Sequence, residues 1–271
     1  MAAMNAAETI VIRGVRVRKG PAREACFTVV DEASQLSLTS DPAYDQGKDM
    51  TARMRRNRLH GHMHNEMQSI EIAAQCLVDF PDAAWELRME LARQCWDESR
   101  HAALLYRRLK ELGGRKGEFP VMHFEWNMTC MQDSLPARLA IQNRTIEGGE
   151  MDVLKGHSQM WRDAGDEVTA DLLEGILSDE VQHVRFANRW LKRLAKEEPG
   201  TLLSVLKGLD FMRRVIAAFG PAPGETNFVG TSIAATIHAS PTNVDDRRLA
   251  EFTEQEIADL LRRDGFGAIV P

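Results

Sequence analysis

From about Ala52 onward, apolar and polar positions alternate with the period of an α-helix, and four long helices follow from the pattern. The first runs to Phe80, with Leu59, His62, Glu66, Ile70, Ala73 and Leu77 on one face. Pro81-Asp82 breaks it. A second helix, about 82–112, carries Leu87, Leu91, Gln94, Glu98, His101 and Leu105 in one stripe before Gly113-Gly114 ends it. Residues 113–133 hold Gly and Pro and keep no clean period, so they are expected to form a long connection. A third helix, about 134–163, leads through the turn Asp163-Ala164-Gly165-Asp166 into a fourth, about 167–197, striped by Leu173, Ile176, Glu180, His183, Ala187 and Trp190. Connections that run short, long, short suit an all-α four-helix bundle with one crossover.

Residues 8–31 alternate β-branched and polar side chains on either side of Gly20-Pro21, which predicts a small hairpin or extended arm appended to the bundle. Beyond Pro199, a fifth helix (about 201–219), a loop with Pro221, Pro223 and Gly224, and a terminal helix (about 253–264) are expected. The chain thus divides into an N-terminal extension (1–51), the bundle (52–197) and a C-terminal helical extension packed on it (198–271).

Composition narrows the class. With 271 residues, 44% hydrophobic and 27% charged, fibrous and wholly disordered readings fall away. The formal charge of −6 argues against a nucleic-acid partner and against a membrane surface. Cys26, Cys76, Cys95 and Cys130 form no CxxC pair, so neither a disulfide framework nor a thiolate metal site is expected, and a reducing cytoplasm fits. No basic leader with an apolar core opens the chain, and no apolar run approaches the length of a membrane span. Met151, Trp96 and Trp190 are expected in the core, and Arg53, Arg55, Arg56 and Arg58 on a solvated face.

The chemistry lies in two D-E-x-x-H runs, Asp97-Glu98 with His101 and Asp179-Glu180 with His183. Chance predicts about 0.65 copies of ExxH in this composition and about 0.04 of DExxH, so two in corresponding helices demand a cause. Residues three apart share a helix face, and a carboxylate with an imidazole can there converge on one ion. Both pairs sit in apolar stripes, where an ionised Glu is costly unless paired or metal-bound. A two-ion site needs a carboxylate from each remaining helix. Glu66 precedes Glu98 by 32 residues and Glu147 precedes Glu180 by 33, a closer match than Glu71 or Glu150 gives, so Glu66 and Glu147 are chosen. Glu150 stands as an alternative one turn away. His62, one turn before Glu66, is a candidate extra ligand or proton relay, with a surface or outer-layer histidine the plainer reading. Gly148-Gly149 could open space beside the ions or permit a π-bulge.

This set, Glu66, Glu98-x-x-His101, Glu147 and Glu180-x-x-His183, resembles the ferritin-like di-iron carboxylate superfamily. Within it, HNEMQSIEIAAQ (64–75), the FPD turn (80–82) and DEVQH with a nearby Arg and Trp (179–190) resemble an uncharacterised bacterial ferritin-like family. The resemblance implies two Fe ions, or Fe with Mn, and an oxygenase or oxidase that uses O2 or peroxide, a small-molecule substrate and an external electron donor, with a homodimer allowed. It also implies that Asp97 and Asp179 each accept the free N–H of the opposite metal-bound histidine. Other readings are an iron-binding or peroxide-detoxifying protein, a tRNA-modifying hydroxylase and a non-catalytic helical module. Two divalent ions would add four positive charges and bring the formal −6 to −2, which weakens the charge argument against RNA.

Overall fold

In the computed structural model the described residues are 9–31, 51–219 and 241–262. Near the N-terminus, β1 (Thr9–Ile12) and β2 (Val15–Arg18) pair antiparallel across Arg13-Gly14. Both turn residues have positive φ, 45° and 83°, as a two-residue hairpin turn requires to match strand twist. The break therefore lies at Arg13-Gly14 rather than at Gly20-Pro21. Gly20 instead lets the backbone pass against His123, whose ring a Cβ would strike.

The arm is no appendage. Strand alternation aims Ile12 and Val17 inward, where they join Met122, Phe124, Met128, Ile141, Met212 and Val215 in one cluster. Trp126 Nε1 donates to Lys19 O (2.9 Å) and Asn127 Nδ2 to Arg18 O (2.6 Å), and Val30 N donates to Val121 O (2.9 Å).

Helices dominate the rest. α1 (Ala52–Asp79) and α2 (Trp85–Glu111) form the first hairpin. Thr51 caps α1, its side chain accepting from Met54 N at 3.2 Å, and Arg88 Nη1 donates to the carbonyls of Leu77, Phe80 and Pro81 where α1 ends. The crossover contains α3 (Phe124–Thr129), buried at every position, a helix too short to leave a period. The expected third helix is a continuous run of α4 (Leu135–Leu139), a π-helical segment (Ala140–Glu147) and α5 (Gly148–Asp163). α6 (Glu167–Glu197) packs against both α5 and α2, and α7 (Thr201–Phe219) against α4. α8 (Val244–Leu249), absent from the expectation, precedes α9 (Glu254–Arg262). From α8, Arg247 donates to Asp152 Oδ2 (2.6 Å) and Gly148 O (2.7 Å), which fastens the chain just beyond Glu147. The loop with Pro221, Pro223 and Gly224, residue 8 and residues 263–264 lie outside the described residues.

All six stripe positions of α2, and all six of α6, are buried. Met151 and Trp190 are buried as expected, but Trp96 is 70% exposed. Two residues before Glu98 is about 200° around the helix, so Trp96 faces outward while Glu98 faces in. Of the arginine run only Arg53 is solvated: Arg55 donates to Ala164 O (2.7 Å), Arg56 pairs with Glu118 (2.8 Å), and Arg58 lines a cavity. Among the described residues no helix is long and apolar enough to cross a membrane.

Asp166 joins the two halves. Its carboxylate accepts from Thr169 N (3.0 Å) as the cap of α6 and from Arg108 Nη2 of α2 (2.9 Å). Burial opposes ionisation, yet these hydrogen bonds and the Arg108 charge hold its pKa below the ordinary value. Asp166→Ala is expected to lower the unfolding free energy by about 2–4 kcal/mol, the sum of a lost cap and a lost charged pair, read by denaturant unfolding. Because the folded pKa is depressed, the contribution is present above the unfolded pKa and lost as pH falls through the folded one; wild type and variant should therefore converge in acid.

Candidate metal centre

Two groups of four side chains meet where α1, α2, the π-helical segment and α6 face one another. Glu66, Glu98, His101 and Glu180 each bring a ligand atom within 4.8 Å of the others, and Glu98, Glu147, Glu180 and His183 do the same. Glu98 and Glu180 belong to both groups, so they span two adjacent positions, while Glu66 with His101 and Glu147 with His183 close the two ends. All six residues are at most 3% exposed. Glu71, the alternative on α1, is drawn off by Arg23, which binds its two oxygens at 2.5 and 2.8 Å.

The imidazoles have fixed orientations. His101 Nδ1 faces Glu98, Glu180 and Glu66 at 3.1, 3.3 and 3.4 Å, and its Nε2 lies 3.2 Å from Asp179 Oδ2. His183 Nδ1 faces Glu180 and Glu98 at 3.1 and 3.3 Å, and its Nε2 lies 3.5 Å from Asp97 Oδ2. Each Asp thus reaches the histidine of the other helix, and Arg100 contacts both carboxylates. At His101 the acceptor behind the ring fixes the tautomer and leaves Nδ1 free toward the centre, whereas at His183 Asp97 stands close without an aligned hydrogen bond.

Three further residues, unassigned in the sequence, complete the surroundings. Gln94 Nε2 donates to Glu147 (2.6 Å) and Glu98 (3.2 Å), and Asn143 Nδ2 donates to Glu147 (3.0 Å) and to Gln94 Oε1 (3.0 Å). Each amide sits four residues before the Glu it orients, the spacing that puts His62 beside Glu66, and this repeated i, i+4 relation was the available signal. Glu125 of α3 is buried and accepts from Gln142 Nε2 (3.1 Å); no periodicity marks it. Of the clustered histidines, His62 is not at the surface: its Nε2 lies 2.8 Å from Glu66 Oε1 and 3.1 Å from Glu150 Oε1. His60 and His64 are buried elsewhere, against Phe27, and burial pulls them down to about 4 and about 2.

Protonation follows from the crowding. Burial, then the Glu98 charge, pushes Glu66 up to about 8. Burial and the Glu180 charge hold Glu147 well above the carboxylate range. Burial alone would lower the imidazoles, but the surrounding carboxylates outweigh it and raise both His101 and His183. Glu98 is held low because the His183 charge and the histidine hydrogen bonds outweigh its burial. Ion-free, the raised pKa values of Glu66, Glu147, His101 and His183 let protons offset the carboxylate charge.

The donor set fits divalent ions. Glu180 Oε1 is buried without a hydrogen-bond partner even though His101 Nδ1 lies 3.3 Å away, so lone pairs converge there with no proton aligned between them. Four carboxylates and two neutral imidazoles around two divalent ions sum to zero charge, and oxygen with imidazole donors suits hard or borderline divalent ions.

Beside the centre lies a cavity of about 250 Å³. Its walls are largely apolar, with Phe124, Met128, Leu154 and Trp161 among them, and His62, Glu125, Glu150 and His157 supply polar groups.

Two measurements check this geometry. Asp97→Asn and Asp179→Asn should each weaken Fe(II) or Mn(II) binding by about 10–100-fold with the helical circular dichroism unchanged; undiminished affinity in both would contradict the orienting role. Because His101, His183, Glu66 and Glu147 all have raised pKa values, they hold protons near pH 7 that an ion must displace. Binding should release roughly two protons per ion and tighten as pH rises, seen by calorimetry in buffers of different ionisation enthalpy.

A protein from Haemophilus influenzae described as uncharacterised is 28% identical over 170 residues, which cover 57% of this chain and 54% of that protein. The match thus spans about half the relative's length. No solved structure matches the chain. The family described as "Protein of unknown function (DUF455)" matches residues 3–258, so the chain belongs to the DUF455 family.

Proposed function

We infer that the protein is a ferritin-like, non-haem di-iron oxidoreductase that uses O2 or peroxide to oxidise a small organic substrate. The observation that carries this reading is the pair of four-residue groups sharing Glu98 and Glu180. It is supported by the ligand arrangement of bundle di-metal proteins, a Glu from each of two helices and a Glu-x-x-His from each of the other two. When bound, two irons, or iron with manganese, supply the redox change that reduces O2 or peroxide, and an external donor restores the electrons.

The chain's own part is positioning. Glu98 and Glu180 would each serve both ions, and Glu66 with His101 and Glu147 with His183 would each hold one. Gln94 and Asn143 restrain Glu147, so a carboxylate shift there has to break hydrogen bonds first. The largely apolar cavity beside the centre would take a substrate within reach of it. This mostly apolar space favours an enzyme over a store, whose task needs no organic-sized cavity.

The Fe(II)-loaded protein, supplied with an electron donor, should consume O2, and Glu98→Ala and His183→Ala should each slow that uptake more than about tenfold together with loss of bound iron. Uptake at the wild-type rate in both variants would sink the site, and a loaded wild type inert to O2 and peroxide would sink the activity. Solution mass separates the storage reading, which calls for a large hollow shell.

A further inference from the structure

Glu66 points its two oxygens to different places. Oε2 lies 3.4 Å from His101 Nδ1, inside the two-ion centre, whereas Oε1 lies 2.8 Å from His62 Nε2 on the cavity side. Glu150 Oε1 meets the same nitrogen at 3.1 Å, and the ligand atoms of His62, Glu66 and Glu150 all lie within 4.8 Å of one another. Glu66 is 3% exposed, and its Oε1, aimed into this group, has no aligned hydrogen-bond partner. A buried oxygen left in that state is costly unless something else occupies its lone pairs.

We propose that His62, Glu66 and Glu150 form a third divalent-cation site, sharing Glu66 with the pair and facing the cavity. The proposal rests on the di-metal reading for the pair and adds an ion to it.

Charge points the same way. Glu66, Glu98, Glu125, Glu147, Glu150 and Glu180 gather around the centre and the cavity wall, and two divalent ions balance only four of the six carboxylates. A third ion at His62 would compensate Glu150, while Glu125, pushed up to about 8 by burial, keeps its own proton on the same cavity wall. The donor types agree as well: two carboxylates and one imidazole suit the same hard or borderline ions as the pair.

Position gives the site a different role from the pair. His62 and Glu150 both line the cavity, so an ion they hold has three protein donors and further coordination positions directed into the space a substrate would occupy. A carboxylate or other oxygen donor on an apolar molecule would complete that coordination, while the walls around Phe124 and Met128 take its apolar body. The third ion would thus anchor the substrate next to the two that act on it.

Mn(II) binding tests this by equilibrium dialysis at saturating metal, with paramagnetic resonance of the bound ion as a second readout. Wild type is expected to bind three ions per chain, and Glu150→Gln and His62→Gln two each, with the spin-coupled signal of the pair retained. Two ions in wild type and still two in both variants would overturn the third site and leave the pair standing. One ion in wild type, lost in Glu150→Gln, would instead overturn the pair and keep the cavity site. Circular dichroism on each variant establishes that the helices persist, and His62→Asn serves where His62→Gln fails to fold.

Discussion

Six carboxyl groups, from Glu66, Glu98, Glu125, Glu147, Glu150 and Glu180, face one another among packed helices, and their mutual repulsion is the condition everything around them answers. Two unit charges 4.8 Å apart at an effective dielectric of about 20 repel by about 3 kcal/mol. A typical domain has a net stability of only about 5–15 kcal/mol, so a few uncompensated pairs would cancel it. Positive charge in this space, as protons or as ions, is therefore a requirement of the fold as much as of any reaction. Protons can meet it through His101, His183, Glu66 and Glu147, whose pKa values are all raised.

The elements outside the four long helices serve the same condition by holding the ligands where compensation works. Arg100 reaches both Asp97 and Asp179, so one cation holds the two carboxylates that stand behind the histidines. Arg247 of α8 fastens Gly148 and Asp152, the residues that follow Glu147 on the helix. The hairpin and α7 close a single hydrophobic cluster with Phe124 and Ile146, both in the cavity wall. Segments that read as extensions in sequence thus contribute to the enclosure of the site.

What could be read in advance depended on intact periodicity. The α2 and α6 stripes keep one phase over five turns, so Glu98, His101, Glu180 and His183 were assignable to a buried face and all are buried there. Glu66 and Glu147 followed from matched spacing within the two hairpins, and the structure brings both into the groups of four. Glu125 escaped because six residues of α3 are too few to establish a period. Trp96 misled because an aromatic residue beside a stripe resembles one within it. The hairpin turn was misplaced because Gly-Pro is the louder punctuation, whereas Arg13-Gly14 depends on φ, which composition does not display. Gln94 was seen as part of a stripe, but its task, restraining a carboxylate on another helix, is a tertiary fact.

The π-helical turns of Ala140–Glu147 act as a phase shifter. Each wide turn consumes an additional residue, and one additional residue rotates everything downstream by about 100°. Ile141 and Ile146, within the wide turns, pack toward the hairpin and α7, while Met151 and Leu154, beyond them, belong to other clusters near α9 and Trp161. A helix of uniform pitch has one inward face. This one has two in succession, and Glu147 sits at the change between them.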